Sequence, residues 1–168
     1  KTPQNPVIGR TRYLTEINGI VFGDNLKQGI IRGQTFSHPN LRFSFTAPPN
    51  YTLINSPYKV TAIDPNKNRI EFSMVVLNKK RPLGNLESYL VNSWGKNIEL
   101  GKIETINING LMAKTSTGKS LNGRSLVRLL VIQGTPRELF RFAFVTSINP
   151  TKTVLTGMQR TTYSFRRL

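Results

Sequence analysis

Between Leu41 and Ala47 the odd positions (Leu41, Phe43, Phe45, Ala47) are apolar and the even ones (Arg42, Ser44, Thr46) polar, the period of two that marks a strand with one buried face. His38-Pro39 opens this stretch and Pro48-Pro49 closes it, because proline cannot donate to a sheet ladder and biases its predecessor away from the helical region. Similar patterning predicts strands over 28–36, interrupted by Gly33, and over 51–55. The runs 59–63 and 70–77 flank the turn Asp64-Pro65-Asn66-Lys67-Asn68 and should form a hairpin. Farther on, 102–108 and 111–115 flank Asn109-Gly110, the strongest short-range hairpin signal. Asn122-Gly123 introduces 124–132, which the loop 133–138 joins to 139–147.

Pairing Val131 with Phe140, Leu129 with Phe142 and Val127 with Phe144 gives that last hairpin one apolar face. Its other face then carries Leu126, Arg128, Leu130 and Ile132 against Leu139, Arg141, Ala143 and Val145. Both faces are largely apolar, so the hairpin should be covered on both sides. Helical spacing supplies the covers. Leu86, Tyr89, Leu90, Ser93 and Trp94 fall at i, i+3, i+4, i+7 and i+8, with Asn85 as N-cap and Gly95 as stop. Leu155, Met158, Thr162 and Phe165 recur after Asn149-Pro150-Thr151. The expected fold is α+β, an antiparallel sheet covered by helices in an α-β-α sandwich spanning 32–168. Residues 1–31 read as lead-in: a linker with Pro3, Pro6 and Gly9, then a short helix capped by Thr11 with Tyr13, Leu14 and Ile17 on its apolar face, ended by Asn18-Gly19.

Charge changes this picture more than length does. Among 168 residues, 24 Lys and Arg face 8 Asp and Glu, a net charge of +16, which favours anionic partners: nucleic acid, lipid headgroups or acidic cell-wall polymers. The charges are dispersed, with Lys79-Lys80-Arg81 the longest basic run. Candidate contacts for an anionic partner are Lys79, Lys80 and Arg81, together with Arg124, Arg128 and Arg141, placed on one sheet face by the pairing above.

Catalytic chemistry finds little footing. There is no cysteine and one histidine, which excludes disulfides and zinc sites built from His and Cys. His38 sits between Ser37 and Pro39 at a strand opening and reads as a locally bonded turn residue. Asp24 and Asp64 fall in turns, and Glu16, Glu71, Glu87, Glu99, Glu104 and Glu138 form no local pair. The stretch Ala113-Lys-Thr-Ser-Thr-Gly118-Lys119-Ser120 fits a relaxed phosphate-loop pattern. It lacks the following helix that such a loop requires, so it reads as a polar turn. No run approaches the ~18 apolar residues of a membrane span. Beginning at Lys1 rather than methionine, the chain is expected to be a piece of a longer protein.

Several segments resemble a known family. Ile17-Asn18-Gly19-Ile20-Val21-Phe22-Gly23-Asp24, Gln28-Gly29-Ile30-Ile31-Arg32-Gly33, Phe36 through Pro48, Tyr51 through Asn55, and Arg160 through Arg166 are similar to the region after the catalytic domain in bacterial periplasmic zinc metallopeptidases of the HtpX and BepA kind. The chain departs from that pattern at Asn18, where aspartate is usual, at Arg42, where glycine is common, and at Asn50, where glycine often precedes the aromatic residue. It lacks the His-Glu-x-x-His helix that the family carries upstream. The resemblance therefore implies a non-catalytic C-terminal domain, periplasmic, with no cofactor, no metal and no catalytic residue of its own, and a zinc protease as its parent. The expected architecture is also similar to the PsbP-like sandwich, a fold used for binding. Partners implied are the upstream protease domain of the same polypeptide and envelope proteins or an anionic cell-wall or lipid surface. The alternative is a stand-alone basic nucleic-acid-binding module, which the burial expected for most phenylalanines disfavours.

Overall fold

A computed structural model describes residues 20–21, 26–77 and 85–168. The expected helix after Thr11 and the run Lys79-Lys80-Arg81 lie outside the described residues.

Two antiparallel sheets organise the described chain. The larger is built on long central strands: β7 (Arg69–Leu77), β10 (Leu111–Lys119), β11 (Ser125–Thr135) and β12 (Glu138–Ser147). Its order runs β5 (Thr52–Asn55), β6 (Val60–Ile63), β7, β12, β11, β10, β8 (Glu99–Leu100). β1 (Ile20–Val21) extends the β6 edge of β7, and β9 (Glu104–Ile108) extends the β8 edge of β10. The smaller sheet has the order β13 (Arg166–Arg167), β4 (Phe43–Thr46), β3 (Thr35–His38), β2 (Ile30–Arg32). Among the described residues a 3-10 turn at Leu26–Gln28 and two longer helical segments complete the fold. α1 is a single α-turn, Leu86–Ser88, running on as a π-turn over Tyr89–Trp94, and α2 spans Lys152–Ser164.

The turns form where the sequence demands them. Asn109 and Gly110 both have positive φ, 50° and 90°, the conformation that makes Asn-Gly a hairpin turn. Asp64 closes the β6–β7 turn by accepting from the Asn68 backbone N–H at 2.8 Å and from its side-chain amide at 2.9 Å. Asn85 caps α1, accepting from the Ser88 N–H at 2.9 Å. Thr151 caps α2 through the Val154 N–H. The single strand expected over 28–36 is instead the hairpin β2–β3, turned at Gly33 with φ 60°. The Ala113–Ser120 segment is not a polar turn: up to Lys119 it lies in β10, paired to β11 on one side and to β9 and β8 on the other.

The helix-covered α-β-α sandwich, and with it the PsbP-like architecture, is overturned. The fold is β-rich, with 49% strand against 18% helix. Coverage on both faces of the β11–β12 hairpin is present, but one cover is a second sheet. Phe36, Phe43 and Phe45 of β3 and β4 face Phe72, Phe140, Phe142 and Phe144 of the large sheet, and all seven are essentially buried. Alternation tells which face of a strand is apolar and is silent on which sheet the strand joins, so it does not reveal that β3 and β4 form a layer of their own. On the opposite face, Leu86, Tyr89 and Leu90 of α1 pack on Val75, Leu77, Val127, Leu129, Val131 and Leu139.

The pairing of β11 with β12 also differs from the expected one. Ile132 stands opposite Phe140, Leu130 opposite Phe142, Arg128 opposite Phe144, and Val131 opposite Arg141. Gly134 is an unpaired extra residue between Gln133–Leu139 and Thr135–Glu138. Such a bulge shifts the partner strand by one residue and exchanges its faces.

Candidate functional site

α2 packs beside β4 of the small sheet and β9 of the large one. α2 turns its Met158, Thr161 and Thr162 side inward and comes close to the loop after β4: a Cβ on Gly157 would lie 3.2 Å from Pro48. Between this helix, the Ala47–Tyr51 loop and the β6–β7 turn opens a cleft of about 980 Å³, walled by Pro48, Tyr51, Asp64, Lys152, Arg160 and Thr161 among others. That is the size of a small-ligand or peptide cleft. Tyr51 and Thr161, both buried, have hydroxyls with no hydrogen-bond partner. Burial first, and the field of Asp64 second, push the Tyr51 phenol up to about 12. Lys152 and Arg160 against the single carboxylate of Asp64 leave the cleft walls net positive.

Of the cationic residues expected to share one sheet face, the described Arg128 and Arg141 do not share it. Lys79, Lys80 and Arg81 are outside the described residues. Arg124 is exposed in the turn before β11. The shifted register sends Arg128 and Arg141 to opposite faces of the large sheet. Arg128 is half-buried beside α2, its guanidinium 5.3 Å from the Phe144 ring, with Nε–H donating to Thr115 Oγ1 at 3.1 Å and Nη1 to Thr162 Oγ1 at 3.0 Å. Arg141 is half-buried beside α1, 5.1 Å from the Trp94 ring, donating to Ser73 Oγ at 3.0 Å and to the Tyr89 hydroxyl at 3.1 Å. Burial pulls the Arg128 pKa below the ordinary arginine value, opposed by the fields of Tyr163 and Glu104.

Acidic side chains are largely engaged. Glu71 pairs with Lys59 and Arg69, Glu87 with Lys114, and Glu138 with Arg167. Among the described residues no group of three or more His, Cys, Asp or Glu could hold a metal ion. His38 is fully buried at the end of β3, paired to Phe43, its Nδ1 accepting from the Leu41 N–H at 3.1 Å and its ring stacked on Phe43; the local bond is as expected, but the residue belongs to the strand rather than to a turn. No helix among the described residues is long and apolar enough to cross a membrane.

Sequence reasoning missed the cleft. Its walls come from three distant stretches, 46–51, 64–66 and 151–164, and no periodicity signals that they meet. Leu155, expected on the inward stripe of α2, is 49% exposed. Neither a scan against protein-family models nor a search of curated proteins finds a match to this chain.

Proposed function

We propose that this chain is a non-catalytic accessory domain of an exported, periplasmic zinc protease of the HtpX and BepA kind, which holds envelope polypeptides for the protease or seats it on an anionic envelope surface. The observation that carries the reading is where the family-like segments meet. Phe36–Pro48 forms β3, β4 and one lip of the cleft, Tyr51 begins the next segment, and Arg160–Arg166 supplies the end of α2 and strand β13. The Thr46 N–H donates to Ser164 Oγ at 2.8 Å, and Arg166 pairs with Ser44. Segments more than a hundred residues apart thus build one layer and one cleft.

Backbone geometry adds support. Arg42 has φ 61° and Asn50 φ 72°, the left-handed region that glycine enters without strain. These are the two positions where the resembled family carries glycine. The net charge of +16, with most described carboxylates engaged, suits an anionic partner.

Purified domain should bind unfolded envelope polypeptides, and Arg160→Glu at the cleft wall should weaken that binding. The domain alone should not cleave them; cleavage that a chelator abolishes would overturn the non-catalytic reading. A salt titration separates the nucleic-acid alternative, for which log K should fall with a slope near −0.9 per phosphate contact. A reading frame upstream of Lys1 encoding a signal peptide and a His-Glu-x-x-His helix is the expected genetic context.

A further inference from the structure

Arg128 and Arg141 differ in one respect that chemistry can use. Each is half-buried, each lies against an aromatic ring, and each donates to two neutral hydroxyls. Among the described residues neither pairs with a carboxylate. Of the two, it is Arg128 that lines a small, partly open cavity of about 160 Å³ whose walls include Thr117, Leu126, Thr146, Leu155 and Gln159.

A guanidinium has five N–H donors in a planar fork. Two on Arg128 are spent on Thr115 and Thr162, which fix its plane and leave the rest available. A partly desolvated cation with no carboxylate in contact is an anion site in waiting, because the charge-assisted bonds it can form outweigh neutral ones about twofold. Clefts for drug-sized ligands start at about 300 Å³, so this one admits a single side chain or chain end. One cation with Leu126, Leu155 and Met158 beside it suits a singly charged group on an apolar stem rather than a dianion. Carboxylate fits that description and matches the fork of arginine.

The cavity also opens toward a continuation. Leu155 and Gln159 line both it and a shallow groove along the outer side of α2, where Arg160 and Tyr163 complete the lining. Leu155 and Tyr163 are 49% and 43% exposed, an apolar pair two turns apart on a helix surface.

We propose that the Arg128 cavity receives a carboxylate of a bound polypeptide, an acidic side chain or a free chain end, while neighbouring apolar residues of that polypeptide lie along the Leu155–Tyr163 groove. The polypeptide part rests on the accessory-domain reading above; the carboxylate part rests on the cavity alone.

Fluorescence anisotropy with four short peptides sharing one apolar core tests it: amidated and neutral, amidated with one internal glutamate, neutral with a free chain end, and amidated with one internal phosphoserine. The carboxylate-bearing peptides should bind about ten- to a hundredfold tighter than the neutral one, and whichever of the two is tighter names the source. Arg128→Gln should abolish the difference. Gln159→Glu, at an exposed position on α2, should abolish it too by placing a carboxylate at the cavity mouth, with the melting temperature held or raised, so that misfolding is not the cause. Equal binding of the neutral peptide, tightest binding of the phosphoserine peptide, or carboxylate preference unchanged in both variants would overturn the site. In the last case peptide binding itself survives and the accessory-domain reading stands. If no peptide binds, yet acetate shifts the Arg128 Nε–H resonance in wild type and not in Gln159→Glu, the polypeptide reading fails and the proposal falls with it, leaving a carboxylate site only.

Discussion

One face of the large sheet is closed by another sheet through phenylalanine rings, and the other by a single short helix through aliphatic side chains. On the first, Phe72 lies 5.0 Å from the rings of Phe43 and Phe45 and 4.9 Å from that of Phe142. Phe165, just past α2, reaches Phe140 at 4.8 Å. On the second, α1 gives one α-turn and a wider π-turn, which buries Tyr89 and Leu90 and leaves Ser93 exposed. A sheet cover meets the central strands along their length and locks interdigitated rings, each close pair adding about 0.5–1.5 kcal/mol beyond area burial. A helix cover meets them along one stripe, which tolerates a local change of helical period.

Phe72→Ala should therefore be the most damaging single change, costing about 3–5 kcal/mol in denaturant unfolding. Leu90→Ala, equally buried at 0% exposure, should cost less, about 2–3 kcal/mol, because the helix can settle into the space. If Leu90→Ala proves as costly as Phe72→Ala, the contrast between a locked and an adaptable cover is lost.

The same contrast explains what the sequence did and did not reveal. β4 and β7 of the phenylalanine face are visible as alternations, as are the Asn109-Gly110 turn and the Asn85 cap, whereas β3 is hidden inside a single expected strand over 28–36. Layer membership is not visible. Phe43 and Phe45 carry the same pattern whether β4 extends the large sheet or lies across it. The register of β11 and β12 turned on Gly134, one unpaired residue in a loop that alternation does not resolve. That slip alone gathered Arg128 and Arg141 onto one imagined binding face. The helix stripe containing Leu155 was read as wholly inward because 3.6-residue spacing fixes a side of a helix and not its width. The cleft needed three loops to converge, information held only in the tertiary fold.

The two arginines give a finer test of the two covers. Arg141→Met removes two hydrogen bonds and the contact with Trp94, and should cost about 2 kcal/mol. Arg128→Met removes a matching set but also relieves the burial that lowers the Arg128 pKa, so its cost should be smaller, about 1 kcal/mol or less. The reverse order would mean that the α2 side depends on its charge more than the α1 side does.

Where the sheet cover ends, Tyr51 should make stability sensitive to alkali. Its phenol titrates near 12 in the fold against about 10 in an unfolded chain. Between those values the unfolded state sheds a proton that the native state keeps, so stability holds below pH 10 and declines as pH rises toward 12. Tyr51→Phe should remove that decline. At neutral pH it should leave the fold as stable or up to about 1 kcal/mol more so, since the hydroxyl it deletes is buried without a partner. Chemical denaturation at neutral pH and across the alkaline range checks both halves. A Tyr51→Phe protein that loses stability at neutral pH would mean that the hydroxyl is held by a bond.

The smallest effect addresses the covering sheet itself, at the turn from β3 into β4. Arg42 occupies φ 61°, a conformation that costs a residue with a Cβ about 1–2 kcal/mol, whereas glycine enters it freely but loses about 0.5–1 kcal/mol of unfolded-state freedom. The side chain contributes a long, exposed bond of 3.4 Å to the Leu168 carbonyl; the backbone bonds from Arg42 N–H to His38 and from Leu168 N–H to the Arg42 carbonyl survive substitution. Arg42→Gly should thus stabilise the protein by about 0.5 kcal/mol. Asn50→Gly should be near neutral, because asparagine already tolerates the left-handed region. Destabilisation by Arg42→Gly would show that the arginine side chain holds the chain terminus against β4, and would remove the backbone reason for expecting glycine at that turn.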